Sequence, residues 1–332
     1  MTKQNHSSAK GLIAAAALAL VLPASMPAQT LLPKPTRCNF FKGHNAIARV
    51  FSLENADTTT SNAFLIWAKA QGAQTGNAPR KTEQSASRKK PQTPVMKIGA
   101  LNGNNNEAYS LRVTPDSIIV CADSDLGFLR ASQTAAQLLH KGKLACADIS
   151  DQPAFEWRGA MIDVSRHFFP ISFLKNILSR YKINRLHLHL TDAAGWRIEI
   201  KRYPRLMTEA AWRTEASWKT WWNEGGRRYS APDSTGAYGG FYSQTELRDL
   251  VAYAAQRGIA IVPEIEMPAH SEEVLTAYPE FSCTHEPYKQ ADFCIGNAGS
   301  IDFLEHVLDE VMSVFPSEYI HIGGDEAGMA SW

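Results

Sequence analysis

The chain of 332 residues lacks an excess of charge of one sign, a cluster of cysteines and a long apolar run. Its 34 Lys and Arg residues balance 33 Asp and Glu residues, which leaves a formal net charge of +1. This balance argues against a nucleic-acid-binding protein, because such proteins need a concentrated positive surface. No pair of cysteines has the CxxC spacing of a zinc site, so we expect neither a structural metal nor a cofactor. The five cysteines are Cys38, Cys121, Cys146, Cys283 and Cys294.

The longest apolar run, 11–22, lies near the N-terminus. Its 12 residues would rise about 18 Å as a helix, too short for a hydrocarbon core of about 30 Å. Lys3 and Lys10 precede the run and small residues follow it, which predicts a signal peptide over 1–28 and a secreted or periplasmic protein. No later stretch predicts a membrane span. In an exported protein Cys283 and Cys294 are candidates for a short disulfide loop.

A small α+β domain is predicted over 29–154. Two runs with alternating apolar residues, 108–114 and 117–122, flank a Pro-Asp pair and predict a β-hairpin. Apolar residues at helical spacing over 126–139 predict a helix packed on that hairpin. Residues 71–94 are polar and rich in Gln, Ser, Thr and Pro, which predicts a flexible loop.

From 155 to 332, short apolar runs alternate with helical patterns, which predicts parallel strands joined by crossover helices. We therefore expect an α/β fold, a partial (β/α)8 TIM-type barrel with the first four strand–helix units. Polar residues follow each predicted strand, and ligands bind at the carboxyl ends of parallel strands in such folds. The predicted strands are 159–164, 185–190, 259–265 and 319–323, and the predicted helices are 172–181, 244–257 and 301–315.

Two adjacent acids, Asp325 and Glu326, follow the fourth predicted strand and a Gly-Gly pair. Neighbouring side chains on a strand point to opposite faces, so these acids can share a ligand only just beyond its end. Two carboxyl groups with separated pKa values can divide the work of glycoside cleavage. On spacing alone, however, a solvated acidic turn is the favoured interpretation.

Several motifs in this region resemble those of glycoside hydrolase family 20, the β-N-acetylhexosaminidases, and the hairpin and helix before Pro153 resemble the small N-terminal domain of that family. The resemblance implies hydrolysis of terminal N-acetylglucosamine or N-acetylgalactosamine residues from β-linked glycans. The motifs are Arg158-Gly-Ala-Met-Ile-Asp-Val-Ser-Arg-His-Phe-Phe-Pro, His187-Leu-His-Leu-Thr-Asp-Ala-Ala-Gly-Trp-Arg-Ile-Glu-Ile, Gly239-Gly-Phe-Tyr-Ser-Gln-Thr-Glu, Pro263-Glu-Ile-Glu-Met-Pro-Ala-His and His321-Ile-Gly-Gly-Asp-Glu.

The resemblance also implies a retaining reaction in which the 2-acetamido oxygen of the sugar attacks the anomeric carbon. Asp325 would hold the acetamido N–H and stabilise the oxazolinium ring, and Glu326 would protonate the leaving oxygen and then activate water.

Four further residues match supporting positions of the family, and a fifth supporting position departs from the family pattern. Arg166 would bind ring hydroxyls of the sugar, and Asp192 and His270 would form a relay that orients Glu326. Trp196 would bind substrate by packing beneath the site, with simple core packing as the alternative. Glu266 is a departure, because the family usually has Asp-Met-Pro-Gly-His where this chain has Glu266-Met-Pro-Ala-His270. Four tryptophans in the loop after the second strand are candidates for sugar stacking, although packing is favoured: Trp212, Trp218, Trp221 and Trp222.

Only four strand–helix units precede Trp332, whereas an eightfold barrel typically needs about 250 residues. Half a barrel would leave open strand edges and exposed apolar surface. We therefore expect either a truncated product or self-association through the open edges.

Two alternatives stay open. One is a carbohydrate-binding or inactive paralogue. The other is a metal-dependent hydrolase that uses His187 and His189, with His270, His321 and Asp325 as further ligands.

Overall fold

A computed structural model of the protein describes residues 31–54, 63–76 and 95–328. The predicted signal peptide, 1–28, and most of the predicted loop, 77–94, lie outside the described residues.

A mixed sheet dominates the part of the chain before residue 152. Within the described residues eight strands form it, in the order β1-β8-β5-β6-β4-β2-β3 with β7 on β8. The predicted hairpin is confirmed, because β5 and β6 are antiparallel and Thr114 pairs with Ser117. The elements are β1 (Arg37–Ala46), β2 (Val50–Glu54), α1 (Ala63–Ala70), β3 (Gln74–Gly76), β4 (Val95–Gly99), β5 (Tyr109–Thr114), β6 (Ser117–Ala122), α2 (Asp125–Leu138), β7 (Leu139–His140) and β8 (Lys143–Asp151).

Helix α2 covers this sheet as predicted. It begins after Ser124, whose hydroxyl accepts the backbone N–H of Gly127 at 3.2 Å. Ala131 and Ala135 of α2 are buried in one apolar cluster with Val120 of β6. The predicted loop is wrong at its start, because Gln74–Gly76 pairs in parallel with β2. A polar sequence can complete a sheet edge because main-chain hydrogen bonds require no apolar side chain.

A parallel sheet forms the region after residue 155, in the order β13-β10-β9. The segment at 319–323 lies next to β13, where His321 makes a single parallel bridge to Glu264. The predicted fourth strand is therefore correct in position but short. Its extended backbone ends at two glycines with positive φ, Gly323 at +67° and Gly324 at +102°. The strands are β9 (Gly159–Asp163), β10 (Arg185–His189) and β13 (Ala260–Glu264).

Helices cover one face of the parallel sheet, as crossover connections require. Leu186 and Leu188 of β10 are buried in a cluster with Leu178 and Leu250 from two of these helices. Each predicted helix is confirmed within three residues at either end. The crossover helices are α3 (Ile171–Arg180), α5 (Gln244–Ala255) and α7 (Ala298–Val314), with a short helix, α6 (Glu272–Ala277), after β13.

The connection from β10 to α5 is long and is held by one buried arginine. Arg197 is fully buried and donates hydrogen bonds to the carbonyl oxygens of Ser165, Ala194, Ala211 and Gly240. It therefore fixes the segments that follow β9 and β10. The connection also contains a π-helical turn (Leu206–Ala210), β11 (Trp212–Arg213), α4 (Trp218–Asn223) and β12 (Tyr238–Gly239).

The connection between β13 and α7 contains the predicted disulfide, Cys283–Cys294. A short 3₁₀ turn, Pro279–Phe281, precedes it. Of the helices in the described ranges, none combines the length and apolar character needed to cross a bilayer.

Candidate active site

The carboxyl ends of the parallel strands bring the predicted site residues together. Arg166 follows β9, where Asp163 accepts its backbone N–H at 2.9 Å and its guanidinium Nη1 at 2.6 Å. The other guanidinium nitrogen, Nη2, lies 2.7 Å from Oδ2 of Asp192, which follows β10. Two carboxylates on neighbouring strands therefore fix the orientation of Arg166, which stays 38% exposed.

The acidic pair lies beside His270. The Nε2 atom of His270 lies 3.3 Å from a carboxylate oxygen of Glu326 and 3.5 Å from a carboxylate oxygen of Asp325. Both acids are largely exposed, with side-chain exposures of 79% for Glu326 and 68% for Asp325. His270 and Glu326 both have a positive φ, 51° and 52°, which is uncommon for residues other than glycine and often marks a functional site.

A buried glutamate lies behind this pair. Glu266 is only 3% exposed, and its carboxyl Oε1 accepts the N–H of Gly324, which precedes Asp325, at 3.1 Å. The backbone N–H of Glu266 is bonded to Thr191 Oγ1 at 2.8 Å. A Cβ on Gly323 would lie 1.9 Å from Oε1 of Glu266, so this glycine makes room for the carboxyl group rather than for a ligand.

The pKa values of Glu266 and Asp325 are shifted in opposite directions. Burial, together with the hydrogen bond and the negative charge of Asp325, raises the pKa of Glu266 to about 8. Desolvation opposes ionisation of Asp325, but the hydrogen bond from Glu266 and the charge of His270 lower the pKa of Asp325 overall. The two environments therefore separate the pKa values of these carboxyl groups, with the higher value at the buried Glu266.

Three imidazoles surround a second acid, Glu264, beneath the site. His187 Nε2 and His321 Nδ1 lie 2.7 Å and 2.8 Å from its carboxylate, and His189 Nδ1 is also hydrogen-bonded to it. The strand register explains this grouping, because His189 of β10 pairs with Glu264 of β13 and with Asp163 of β9.

His189 connects this cluster to the site. Its Nε2 lies 3.3 Å from Oδ2 of Asp192. Although burial opposes protonation, Asp192 and Glu264 raise the pKa of His189 to about 10. Burial likewise opposes ionisation of Glu264, but the three histidines lower its pKa to about 2. His189 is therefore an imidazolium between two carboxylates.

The predicted relay from Asp192 through His270 to Glu326 is incomplete. His270 contacts Glu326 as expected, but the described contacts of the Asp192 side chain are with Arg166 and His189. The physical reason is that Oδ2 of Asp192 lies between a guanidinium and an imidazolium, two strong cationic donors.

Trp196 does not line the site, which corrects its predicted contact with substrate. It is 1% exposed, belongs to the apolar core, and donates its indole N–H to the carbonyl of Ile198 at 2.6 Å. Its role is packing. Among the loop tryptophans, Trp221 is fully buried, whereas Trp218 is partly exposed and its ring lies 6.0 Å from the guanidinium carbon of Arg166.

The predicted metal ligands do not form one group. Within the described residues, two possible ligand groups share Glu264, one with His187 and His321 and one with His189 and Glu266, and a separate group joins His270, Asp325 and Glu326. His187 and His189 are both directed at Glu264 rather than at the acidic pair.

Sequence reasoning missed Asp163, Glu264 and the bridging role of His189. A signal was present, because Asp163 and Glu264 are charged residues at the ends of short apolar strands. Their partners, however, depend on which strands are neighbours and in what register.

Paired acids at the carboxyl ends of parallel strands match the arrangement that glycoside hydrolases with an α/β barrel use. The model of "Glycosyl hydrolase family 20, catalytic domain" matches residues 155–332, and that of "Glycosyl hydrolase family 20, domain 2" matches residues 28–152. The chain belongs to glycosyl hydrolase family 20, and the expected α/β fold with part of a TIM-type barrel is confirmed.

Individual relatives agree with this assignment. A beta-hexosaminidase of Porphyromonas gingivalis is 37% identical over 248 residues, which cover 68% of this chain and 30% of the relative. A beta-hexosaminidase of Vibrio furnissii is 38% identical over 244 residues, covering 68% of this chain and 38% of the relative. The chain therefore spans less than half the length of either relative.

Solved structures cover more of the chain. The beta-N-acetylhexosaminidase of Bacteroides fragilis superposes with a TM-score of 0.65 and 32% identity, covering 90% of this chain and 57% of that one. The exo beta-N-acetylglucosaminidase of Vibrio harveyi in complex with N-acetylglucosamine gives a TM-score of 0.68 and 30% identity, covering 90% and 47%.

Proposed function

We propose that this chain hydrolyses terminal, non-reducing N-acetylhexosamine residues of β-linked glycans. One observation carries the proposal: in a chain of family 20, Asp325 and Glu326 lie together at the carboxyl ends of the parallel strands with His270 Nε2 within 3.5 Å of both. Relatives named beta-hexosaminidase support the substrate class.

The proposed mechanism is retaining and substrate-assisted. The acetamido carbonyl oxygen attacks the anomeric carbon while the glycosidic C–O bond breaks, and Glu326 gives its proton to the departing oxygen. Asp325, as a carboxylate, accepts the acetamido N–H and stabilises the positive charge of the oxazolinium ring. Glu326 then takes a proton from the water that opens the ring, which restores the acid. Arg166, oriented by Asp163 and Asp192, is positioned to donate to ring hydroxyls.

The decisive experiment is turnover of 4-nitrophenyl N-acetyl-β-glucosaminide and its galactosaminide counterpart. We expect Glu326→Gln to lower kcat at least about 100-fold, because it removes general acid–base catalysis. Glu305→Gln, which changes an exposed glutamate on α7, should leave kcat unchanged. The first-formed sugar should have the β configuration by proton NMR.

Other outcomes would contradict this mechanism. An α product would exclude retention, and binding of N-acetylglucosamine without turnover would favour a carbohydrate-binding paralogue. Loss of activity in excess chelator would favour a metal-dependent hydrolase, for which the group His187, Glu264 and His321 offers possible ligands.

We also propose that the protein is exported and self-associates. The leader-like pattern over 1–28 and the disulfide support export to an oxidising compartment. Self-association is supported by exposed apolar side chains on the face of the parallel sheet that helices do not cover. There, Met161 is 59% and Tyr319 50% exposed beside a cavity of about 550 Å³.

A further inference from the structure

A cavity of about 360 Å³ lies between the mixed sheet region and the parallel sheet region. Residues of both regions line it, among them Glu107 and Asp151 from the first and Arg158 and Lys182 from the second. Arg158 lies just before β9 and Lys182 just before β10, so the cavity is at the amino ends of the parallel strands. The candidate active site is at the carboxyl ends, and the proposed mechanism makes no use of this cavity.

The two carboxylates in the wall of the cavity are already held by cationic donors. Glu107 accepts hydrogen bonds from Arg130 at 2.7 Å and from Arg158 at 2.5 Å. Asp151 lies 2.7 Å from Nζ of Lys182 and also accepts the backbone N–H of Thr36 at 3.1 Å. Neither acid therefore repels an incoming anion as a free carboxylate would, because each is neutralised by at least one adjacent cation.

Positive charge and hydrogen-bond donors are in surplus in this wall. Lys34 adds a fourth cation to it, and no described acid forms an ion pair with this exposed lysine. Arg130 is 2% exposed, and among the described residues its Nη2 has no hydrogen-bond partner. Burial lowers the pKa of Lys182 despite the contact with Asp151, and the positive charges of Arg130 and Arg158 lower it further. An anion in the cavity would offset this repulsion between like charges.

Apolar side chains complete the wall of the cavity. Phe155 lines it and is 75% exposed, so its ring can pack against a ligand. The other apolar residues of the wall are Pro33, Pro153 and Ala154. Sites for small molecules combine apolar walls with a few converging polar groups, and they occur preferentially where two domains meet. This wall therefore suits a ligand that carries a negative charge on an apolar body.

We propose that this cavity binds a small organic anion, a carboxylate carried on an apolar ring system. The carboxylate accepts from the surplus cations, of which Lys34 is the one without a described counter-ion, and the ring packs against Phe155. A ligand in this position touches both regions of the chain, so its binding stabilises the contact between them. The inference goes beyond the proposed function, because the cavity and the candidate active site lie at opposite ends of the parallel strands.

Calorimetric titration of the full chain with 2-naphthoate tests the proposal. Two further probes separate its parts: 2-naphthamide has nearly the same shape without the charge, and acetate has the carboxylate without the ring. We expect a Kd on the order of 1 mM for 2-naphthoate, an ordinary affinity for a ligand of this size. The other two probes should bind at least about tenfold more weakly, and 2-naphthoate alone should raise the Tm.

Variants at exposed positions locate the bound probe without disturbing the core. Lys34→Glu reverses a charge in the wall and Phe155→Ser removes apolar surface from it, and each should weaken 2-naphthoate binding at least about fivefold. Lys143→Glu makes the same charge change at the start of β8 and should bind as the wild type. Asp151 ends that strand, so Lys143 lies roughly 27 Å along it from the cavity.

Several results would overturn the proposal. They are no binding of 2-naphthoate, equal binding of 2-naphthamide, or equal binding of acetate, which would indicate an adventitious ion only. Equal weakening by Lys34→Glu and Lys143→Glu would show that only net charge matters. Displacement of 2-naphthoate by excess N-acetylglucosamine would place the probe in the candidate active site instead. None of these measurements needs turnover, so the proposal and the proposed function stand or fall separately.

Discussion

Glu264 gathers three histidine side chains on the face of the parallel sheet that helices leave uncovered. It lies within one strand row with Asp163 and His189, and His189 continues the row of charges to Asp192. Negative and positive groups therefore alternate along a series of contacts, which runs through Glu264, His189, Asp192 and Arg166. A buried charge in such a row is stabilised only while its neighbours carry the opposite charge.

This row predicts a pH dependence of stability with two limbs. The pKa of Glu264 is lowered to about 2, so its contribution is present above about pH 4.5 and is lost as the pH falls towards 2. The pKa of His189 is raised to about 10, so its contribution is present below about pH 6.5 and is lost as the pH rises towards 10. Between about pH 4.5 and about pH 6.5 both contributions are present, and there Glu264→Gln should lower the free energy of unfolding by on the order of 3 kcal/mol.

Chemical denaturation from pH 2 to 10 would check this expectation. The exposed variant Glu305→Gln serves as the control and should follow the wild-type curve. Curves for wild type and Glu264→Gln that stay parallel over the whole range would show that Glu264 is not charge-coupled to the histidines.

At the scale of elements, the turn after the fourth extended segment depends on glycine at position 323. Its φ of +67° is unfavourable for other residues, and an added Cβ would meet the Glu266 carboxyl. Gly142, between β7 and β8, has a nearly equal φ of +72°, but a Cβ added there would find open space, with no described atom beyond its chain neighbours within 4 Å. A comparison of the same substitution at the two glycines therefore separates the cost of backbone strain from the cost of a steric clash with Glu266.

We expect Gly142→Ala to lower stability by about 1 kcal/mol through backbone strain alone. Gly323→Ala should cost more and should also lower kcat, because the Glu266 carboxyl group must move and its hydrogen bond with the N–H of Gly324, directly before the acidic pair, is then lost. Thermal unfolding and steady-state kinetics of both variants measure the difference. Equal stability losses, with kcat unchanged in Gly323→Ala, would mean that Glu266 adjusts without consequence.

The elements themselves were largely predictable from the sequence. Alternation in 108–122 and helical spacing in 126–139 and 301–315 reflect burial of one face, which local pattern encodes. The edge strand Gln74–Gly76 was not predictable, because it is held by main-chain pairing with β2.

The candidate site was predictable in its location but not in its pairing. Polar residues after each strand indicate the edge where Arg166, Asp192 and Asp325 meet, since parallel strands end together. Which acid each histidine contacts depends on register and on side-chain reach. His189 is therefore bonded to Asp192, where the sequence suggested His270.

At the scale of the whole molecule, a network of charged groups ties the mixed sheet region to the parallel sheet region. Glu107 accepts hydrogen bonds from Arg130 of α2 at 2.7 Å and from Arg158, just before β9, at 2.5 Å. Lys182 lies 2.7 Å from Asp151 at the end of β8. Because Arg130 and Lys182 are buried, these contacts depend on close packing between the two regions.

The uncovered face of the parallel sheet is the basis of the proposed self-association. Trp157, Met161, Tyr319 and Ile322 each expose half or more of their surface there or at its edge. A second copy that covers this face would remove apolar surface from water, at roughly 25 cal/mol per Å². The wild-type protein should therefore sediment faster as its concentration rises.

A charge placed on this face should prevent that association. Met161→Lys puts an ammonium group where a partner would have to desolvate it, whereas Met312→Lys makes the same change at a similarly exposed position, 54%, on α7. In sedimentation velocity, Met161→Lys should remain monomeric at every concentration and Met312→Lys should behave as the wild type. A wild-type protein that is monomeric throughout would refute self-association. If both variants associate equally, a surface other than the uncovered sheet face is responsible.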